Sequence, residues 1–161
     1  SGGLGIIHSI SHAVSAFFDT HHGLNNAIAL PRVWAFNMPT MYERFADMAQ
    51  AMGVDTHGMT KVQAADAALE AAIRLLRHVG LVERFADVKQ DSYPKNRLGQ
   101  GPTKFYEGRP DITTDAATID ALTNHVLGDA CTPGNPKECT FETVRPVVEH
   151  CVNGDLDELL P

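Results

Sequence analysis

Apolar residues recur every three to four positions through most of the chain, and no run alternates apolar with polar residues as a half-buried strand would. Between Met41 and Met52 the apolar positions Met41, Phe45, Met48, Ala49 and Met52 fall at helix spacing. Asn37 stands where an N-cap is expected, Pro39 in the first turn and Gly53 at the stop. A second helix is predicted from Thr60, whose capping box with Gln63 precedes an apolar face of Val62, Ala65, Leu69, Ala72, Ile73 and Leu76, and Gly80 ends it. A short helical piece is expected around Val82 to Val88. From Ser92 to Thr113 the spacing is lost, and Pro94, Gly99, Gly101, Pro102, Gly108 and Pro110 predict an irregular loop, 92–113, read as a solvated insertion. Helical spacing resumes near Thr114 with Ile119, Leu122, Val126 and Leu127. A turn through Cys131-Thr-Pro-Gly-Asn-Pro136 follows. A last helix is expected from Thr140, with Val144, Val147, Val148 and Cys151 inward and a kink demanded by Pro146. Residues 155–161 read as a frayed turn. The pattern predicts an all-α helical bundle, one domain over 1–161.

Composition narrows what such a bundle does. With 161 residues, 43% hydrophobic and 20% charged, the chain can bury a core. A net charge of -7 disfavours phosphate backbones and anionic membranes, so neither nucleic acid nor membrane is expected as a partner. The three cysteines, Cys131, Cys139 and Cys151, form no CxxC pair and suggest neither a disulfide framework nor a thiolate zinc site, which points to a reducing cytoplasm. The apolar stretch from Leu4 to Phe18 is broken by His8, Ser9, Ser11, His12 and Ser15, too short and polar to span a bilayer.

Histidine is unevenly placed. His8, His12, His21 and His22 are four of the eight, all within the first 22 residues. On a helix His8 and His12 lie one turn apart on one face, a spacing that can chelate a metal, although Ser9-Ile10-Ser11 offers no glutamate for a metalloprotease. Paired histidines on an apolar helix can equally be hydrogen-bonded core residues, and spacing alone leaves both readings open. His22 follows His8 by fourteen residues, which an unbroken helix would separate by roughly 21 Å. The two share an ion only if the chain turns back at Asp19-Thr-His-His-Gly23, with a new helix running from His22 through Leu24, Ala27, Ile28 and Leu30 and kinking at Pro31.

The stretch Gly3-Leu-Gly-Ile-Ile-His8-Ser-Ile-Ser-His12, followed by His22-Gly-Leu-Asn-Asn-Ala-Ile-Ala-Leu-Pro31 and Phe36-Asn37, resembles the signature of the iron-dependent (group III) alcohol dehydrogenases. A second patch, Gly128-Asp-Ala-Cys-Thr-Pro-Gly-Asn-Pro136, resembles the DxCTxxNPR segment of the same family. The resemblance implies that His8 and His22 are ligands of a catalytic divalent metal and that His12 borders the site as a proton-relay group. It gives His21 no role beyond that of a solvent-facing neighbour. Two departures from the pattern are Ala13-Val14-Ser15, where proline and glycine often stand, and Lys137 in place of arginine. No glycine cluster here makes a dinucleotide fingerprint. The resemblance therefore implies the C-terminal part of a longer enzyme whose missing N-terminal domain binds NAD or NADP and completes the ligand set. Fe(II) is the expected metal, with Zn(II) chemically close, and small primary alcohols or aldehydes are the expected substrates of a homo-oligomeric enzyme. The chain alone is expected to be inactive. The rivals are a non-catalytic helical assembly domain with structural histidines and a sister enzyme such as a zinc glycerol dehydrogenase, against which the HGLNNAIALP run argues.

Overall fold

The computed structural model describes residues 3–89 and 111–161. Among these residues there is no strand, and six α-helices carry the fold: α1 (Ile6–Phe18), α2 (His22–Asn37), α3 (Tyr42–Ala51), α4 (Lys61–His78), α5 (Ala116–Gly128) and α6 (Phe141–Asn153). Short 3-10 turns span Met38–Thr40, Phe85–Asp87, Thr132–Gly134 and Leu156–Leu159. The all-α class expected from periodicity is the class observed.

Two apolar clusters organise the helices. In the larger, Ile6, Ile10, Val14 and Phe18 of α1 meet Leu24, Ile28 and Val33 of α2, Ile119, Leu122 and Val126 of α5, and Val144, Val148 and Cys151 of α6. In the smaller, Phe45 of α3 and Ala65, Leu69 and Ile73 of α4 close on Met38 and Leu156, with Trp34 of α2 packed beside them. Trp34 meets Phe45 edge-on with ring centroids 5.3 Å apart, so α2 is the wall between the two clusters. Helix starts follow their capping residues. The predicted Thr60–Gln63 box is present, Asp115 caps α5 through the Thr118 N–H, and Thr140 with Thr143 boxes the start of α6.

Several local expectations are corrected. Asn37 does not cap α3. It ends α2, and α3 begins after Met41 without a side-chain cap, because the Asn37 amide is engaged elsewhere. Residues 82–88 hold only the 3-10 turn Phe85–Asp87, which is anchored by the fully buried Phe85. Val62 lies in the first turn of α4 and is exposed. The C-terminal segment is not frayed, since buried Leu156 pins a 3-10 turn into the smaller cluster. The predicted loop 92–113 falls outside the described residues except at its last three positions, where Ile112 is buried in the larger cluster.

One buried cation joins α2 to α6. Arg32, 2% exposed, donates from Nε to the His150 carbonyl and Nδ1, both at 3.1 Å, from Nη1 to the Ile28 carbonyl at 3.0 Å, and from Nη2 to the Gly154 carbonyl at 2.7 Å. The His150 and Gly154 acceptors belong to the C-terminal end of α6, where carbonyls lack helical partners and the helix dipole is negative.

Candidate metal centre

The site is made by a reversal of the chain between α1 and α2. Asp19 ends α1 in the left-handed region (φ 53°), its N–H bonded to the Ser15 carbonyl at 2.8 Å. His21 starts α2 as its N-cap, its Nδ1 accepting the Leu24 N–H at 3.2 Å, so it is a capping residue and not the solvent-facing neighbour expected. Asn25, fully buried, ties the corner together: its Nδ2 donates to Thr20 Oγ1 (2.7 Å), Ser15 Oγ (3.0 Å) and the Ser11 carbonyl (3.3 Å). The Asp19–Gly23 segment thus breaks the helix, as the spacing required. By contrast, α2 continues through Pro31 to Asn37.

The reversal brings three imidazoles together. Ring centroids of His8 and His22 are 5.1 Å apart, those of His12 and His22 are 5.3 Å apart and nearly stacked, and those of His8 and His12 are 6.1 Å apart. One nitrogen from each ring lies within 4.8 Å of the others. Imidazole nitrogens at ~2.1 Å on a tetrahedral ion stand ~3.4 Å apart, so rotation of the rings by an ångström or so would bring these to bonding distance. Burial, followed by the neighbouring His8, His12 and His21, holds the pKa of His22 below its ordinary 6.5. That keeps the ring neutral and its lone pair available at neutral pH. The donor set therefore fits a divalent transition metal.

Two partners fix ring orientation. Ser11 Oγ lies 2.8 Å from His22 Nδ1 and donates to the His22 carbonyl at 3.0 Å. With the hydroxyl proton on the carbonyl, His22 Nδ1 would be the donor and Nε2 would carry the lone pair. Asn26 Nδ2 meets that Nε2 at 3.1 Å. The second partner is Asp129, which sequence reasoning left without a role although it opens the Asp-Ala-Cys-Thr patch. Its Oδ2 lies 2.9 Å from His12 Nδ1, and its Oδ1 accepts from the Cys131 N–H at 2.8 Å and the Ser9 hydroxyl at 3.1 Å. Partial burial would raise its pKa, but the hydrogen bonds from the Cys131 amide, His12, the Cys131 side chain and Ser9 outweigh burial and hold it at about 2.

The Cys131–Pro136 turn is held against the start of α1. Asn37 and Asn135 exchange two amide hydrogen bonds of 3.0 and 2.8 Å, and Asn135 Oδ1 also faces the Ile6 N–H at 3.5 Å. Lys137, the departure from arginine, places its ammonium 4.2 Å from the centre of the Phe36 ring. Beside the histidines runs an apolar groove of ≈ 740 Å³, walled by Leu30, Trp34, Met41 and Phe45, with His8 and Asn26 on its lining.

Residues 1–152 match the model of the Fe-containing alcohol dehydrogenase family, C-terminal. The chain belongs to that family. It is 81% identical over 160 residues to a methanol:N,N-dimethyl-4-nitrosoaniline oxidoreductase of Amycolatopsis methanolica, covering 99% of this chain and 37% of that protein. It is 35% identical to lactaldehyde reductase of Escherichia coli over 88% of this chain and 31% of that one. A crystal structure of 1,3-propanediol oxidoreductase superposes with a TM-score of 0.73 at 23% identity, over 91% of this chain and 32% of the other, and shows the same fold. The chain thus spans about a third of the length of these relatives. It corresponds to the family's C-terminal domain. Among the described residues no helix is long and apolar enough to cross a membrane.

Proposed function

We propose that this chain is the metal-binding C-terminal portion of a longer, cytoplasmic, homo-oligomeric NAD(P)-dependent alcohol oxidoreductase acting on small primary alcohols or aldehydes. His8 and His22 are its metal ligands and His12 its proton-transfer group. The observation that carries the reading is the convergence of the three imidazoles, with ring nitrogens within 4.8 Å, from two helices joined at a hydrogen-bonded corner. When bound, the metal polarises the alcohol C–O bond and the nicotinamide takes up the hydride. His22 and His8 would offer ring nitrogens to that metal. His12, its side chain 40% exposed, can pass a proton between the substrate oxygen and solvent. The relatives named for methanol and lactaldehyde support the small size of the substrate, and the family supports Fe(II) over Zn(II).

Substitution in the full-length polypeptide separates the roles. His8→Ala and His22→Ala are expected to abolish both metal content and turnover, whereas His12→Ala keeps the metal and loses rate by roughly 10²–10⁴-fold. Equal metal loss in all three would make His12 a ligand and overturn the division. The 161-residue chain, holding two of the expected ligands and no dinucleotide fingerprint, is expected to bind Fe(II) or Zn(II) weakly and to reduce no NAD(P) with primary alcohols. Steady metal-dependent turnover by the chain alone would show that it carries a cofactor site.

A further inference from the structure

Asp129 and His12 are separated by 117 residues and meet through one hydrogen bond of 2.9 Å at the edge of the histidine cluster. The carboxylate does not swing freely. Its Oδ1 is held from the turn by the Cys131 N–H (2.8 Å) and from α1 by the Ser9 hydroxyl (3.1 Å), and Ser9 in turn lies 2.8 Å from Thr132 Oγ1. Ser9 is fully buried and Thr132 is 7% exposed, so these anchors sit out of solvent. An ionised carboxylate only accepts hydrogen bonds, so the ring nitrogen that meets it must carry the proton. A neutral imidazole has one N–H, so a proton fixed on Nδ1 leaves Nε2 as the base.

We propose that Asp129 is a positioning residue for the reaction, fixing His12 as the Nδ1–H tautomer so that its Nε2 is the nitrogen offered to the substrate. The inference rests on the proposed function for the work His12 does, but the geometry that fixes the tautomer is independent of any metal. It explains why a buried serine on α1 and an exposed-side histidine one turn along converge on one carboxylate: Ser9 and Cys131 hold the carboxylate, the carboxylate holds the ring, and the stacking of His12 on His22 (5.3 Å) fixes the ring plane. Ser11 meets Nδ1 of His22 as Asp129 meets Nδ1 of His12, so the two rings are held at the same nitrogen by different partners.

The test is a tautomer measurement. In the ¹⁵N-histidine-labelled chain at pH ~8.5, well above the ordinary imidazole pKa of ~6.5, two-bond ¹H–¹⁵N correlations report which His12 nitrogen carries the proton. The wild type is expected to show Nδ1–H. In Asp129→Asn the carboxamide keeps its oxygen for Ser9 and Cys131 and turns an N–H toward His12, so the tautomer is expected to switch to Nε2–H. In the full-length polypeptide the same variant is expected to retain metal, change KM little and lose kcat by roughly 10²–10⁴-fold, the range of acid–base contributions. A wild-type His12 that is Nε2–H, a tautomer unmoved by the substitution, or an unchanged kcat would each overturn the proposal. Should Asp129→Asn fail to fold, the wild-type tautomer decides alone. Failure of the metal reading has its own signature: His8 and His22 resonances that do not move when Zn(II) is added, which would remove the task assigned to His12 whatever its tautomer.

Discussion

The α3–α4 hairpin and the α1–α2–α5 half that carries the histidines are built by different physics. In the hairpin the buried residues are Phe45, Ala49, Ala64, Ala65, Ala68, Leu69, Ala72 and Ile73, an alanine-rich seam that lets two helices approach closely with nothing to satisfy but packing. Every buried polar or charged residue described lies in the other half: Ser9, Ser11, Thr20, Asn25, Arg32, Asn37, Thr123 and Thr132. Apolar contacts are non-directional, so the hairpin tolerates exchange of similar volumes. Hydrogen bonds specify angle as well as distance, and a group stripped of its partner costs its full desolvation. The histidine half gains fixed side-chain orientation and loses tolerance.

The largest test of that contrast is Arg32→Ala. It leaves the α6 carbonyls of His150 and Gly154, and His150 Nδ1, without their donor inside a packed boundary. By analogy with breaking a buried charged contact, the expected loss is ~3–5 kcal/mol, read as a lower urea midpoint at an unchanged slope. A loss under ~1 kcal/mol, the scale of a single ordinary hydrogen bond, would mean that α2 and α6 are held by apolar packing like the hairpin, and the contrast would fail.

Glycines sharpen it further, because the two halves need them for opposite reasons. Around the hairpin Gly53, Gly58 and Gly80 adopt positive φ (81°, 77° and 72°) with open space where a Cβ would go. Gly134 has no such φ, but a Cβ there would lie 2.2 Å from the Leu4 carbonyl oxygen, at the approach of the Cys131–Pro136 turn to α1. Asparagine tolerates the left-handed region, so Gly58→Asn is expected to be nearly neutral. Gly134→Asn and Gly134→Ala should both cost ~1–3 kcal/mol, the cost of overpacking, and should shift the His8 resonance as the start of α1 moves. Equal cost at Gly58 and Gly134 would show that backbone conformation, not close approach, governs both.

The same division decided what could be read from the chain. Helix spacing and capping are local, so α4 with its Thr60–Gln63 box and the α1–α2 break at Asp19–Gly23 were legible. Asn37 was misread because its amide pairs with Asn135, 98 residues away, and a residue type favoured at caps carries no mark of a distant partner. Asp129 escaped for the same reason: its link to His12 spans 117 residues, and only the resemblance of the surrounding patch pointed there. His21 was passed over because histidine is a rare N-cap, whereas here Nδ1 does the work usually given to a serine or aspartate oxygen. Polar networks that fix a site are long-range, while the periodicity that reveals a fold is short-range.

The smallest effect comes from the hairpin's own start. Thr60 Oγ1 accepts the Gln63 N–H at 3.2 Å and Gln63 Oε1 accepts the Thr60 N–H at 2.9 Å, a reciprocal cap in contact with solvent. Thr60→Ala removes the threonine acceptor and is expected to cost ~1 kcal/mol, with amide exchange quickened in the first turn of α4 and little changed at Leu69 or Ile73. Because that turn belongs to the hairpin and its cap bonds are local, the His8, His12 and His22 ring signals should stay where they are. Movement of those signals on Thr60→Ala would mean that the hairpin and the histidine half respond as one cooperative unit through α2, whose Trp34 packs against Phe45, and that orientation at the site depends on apolar packing far from it.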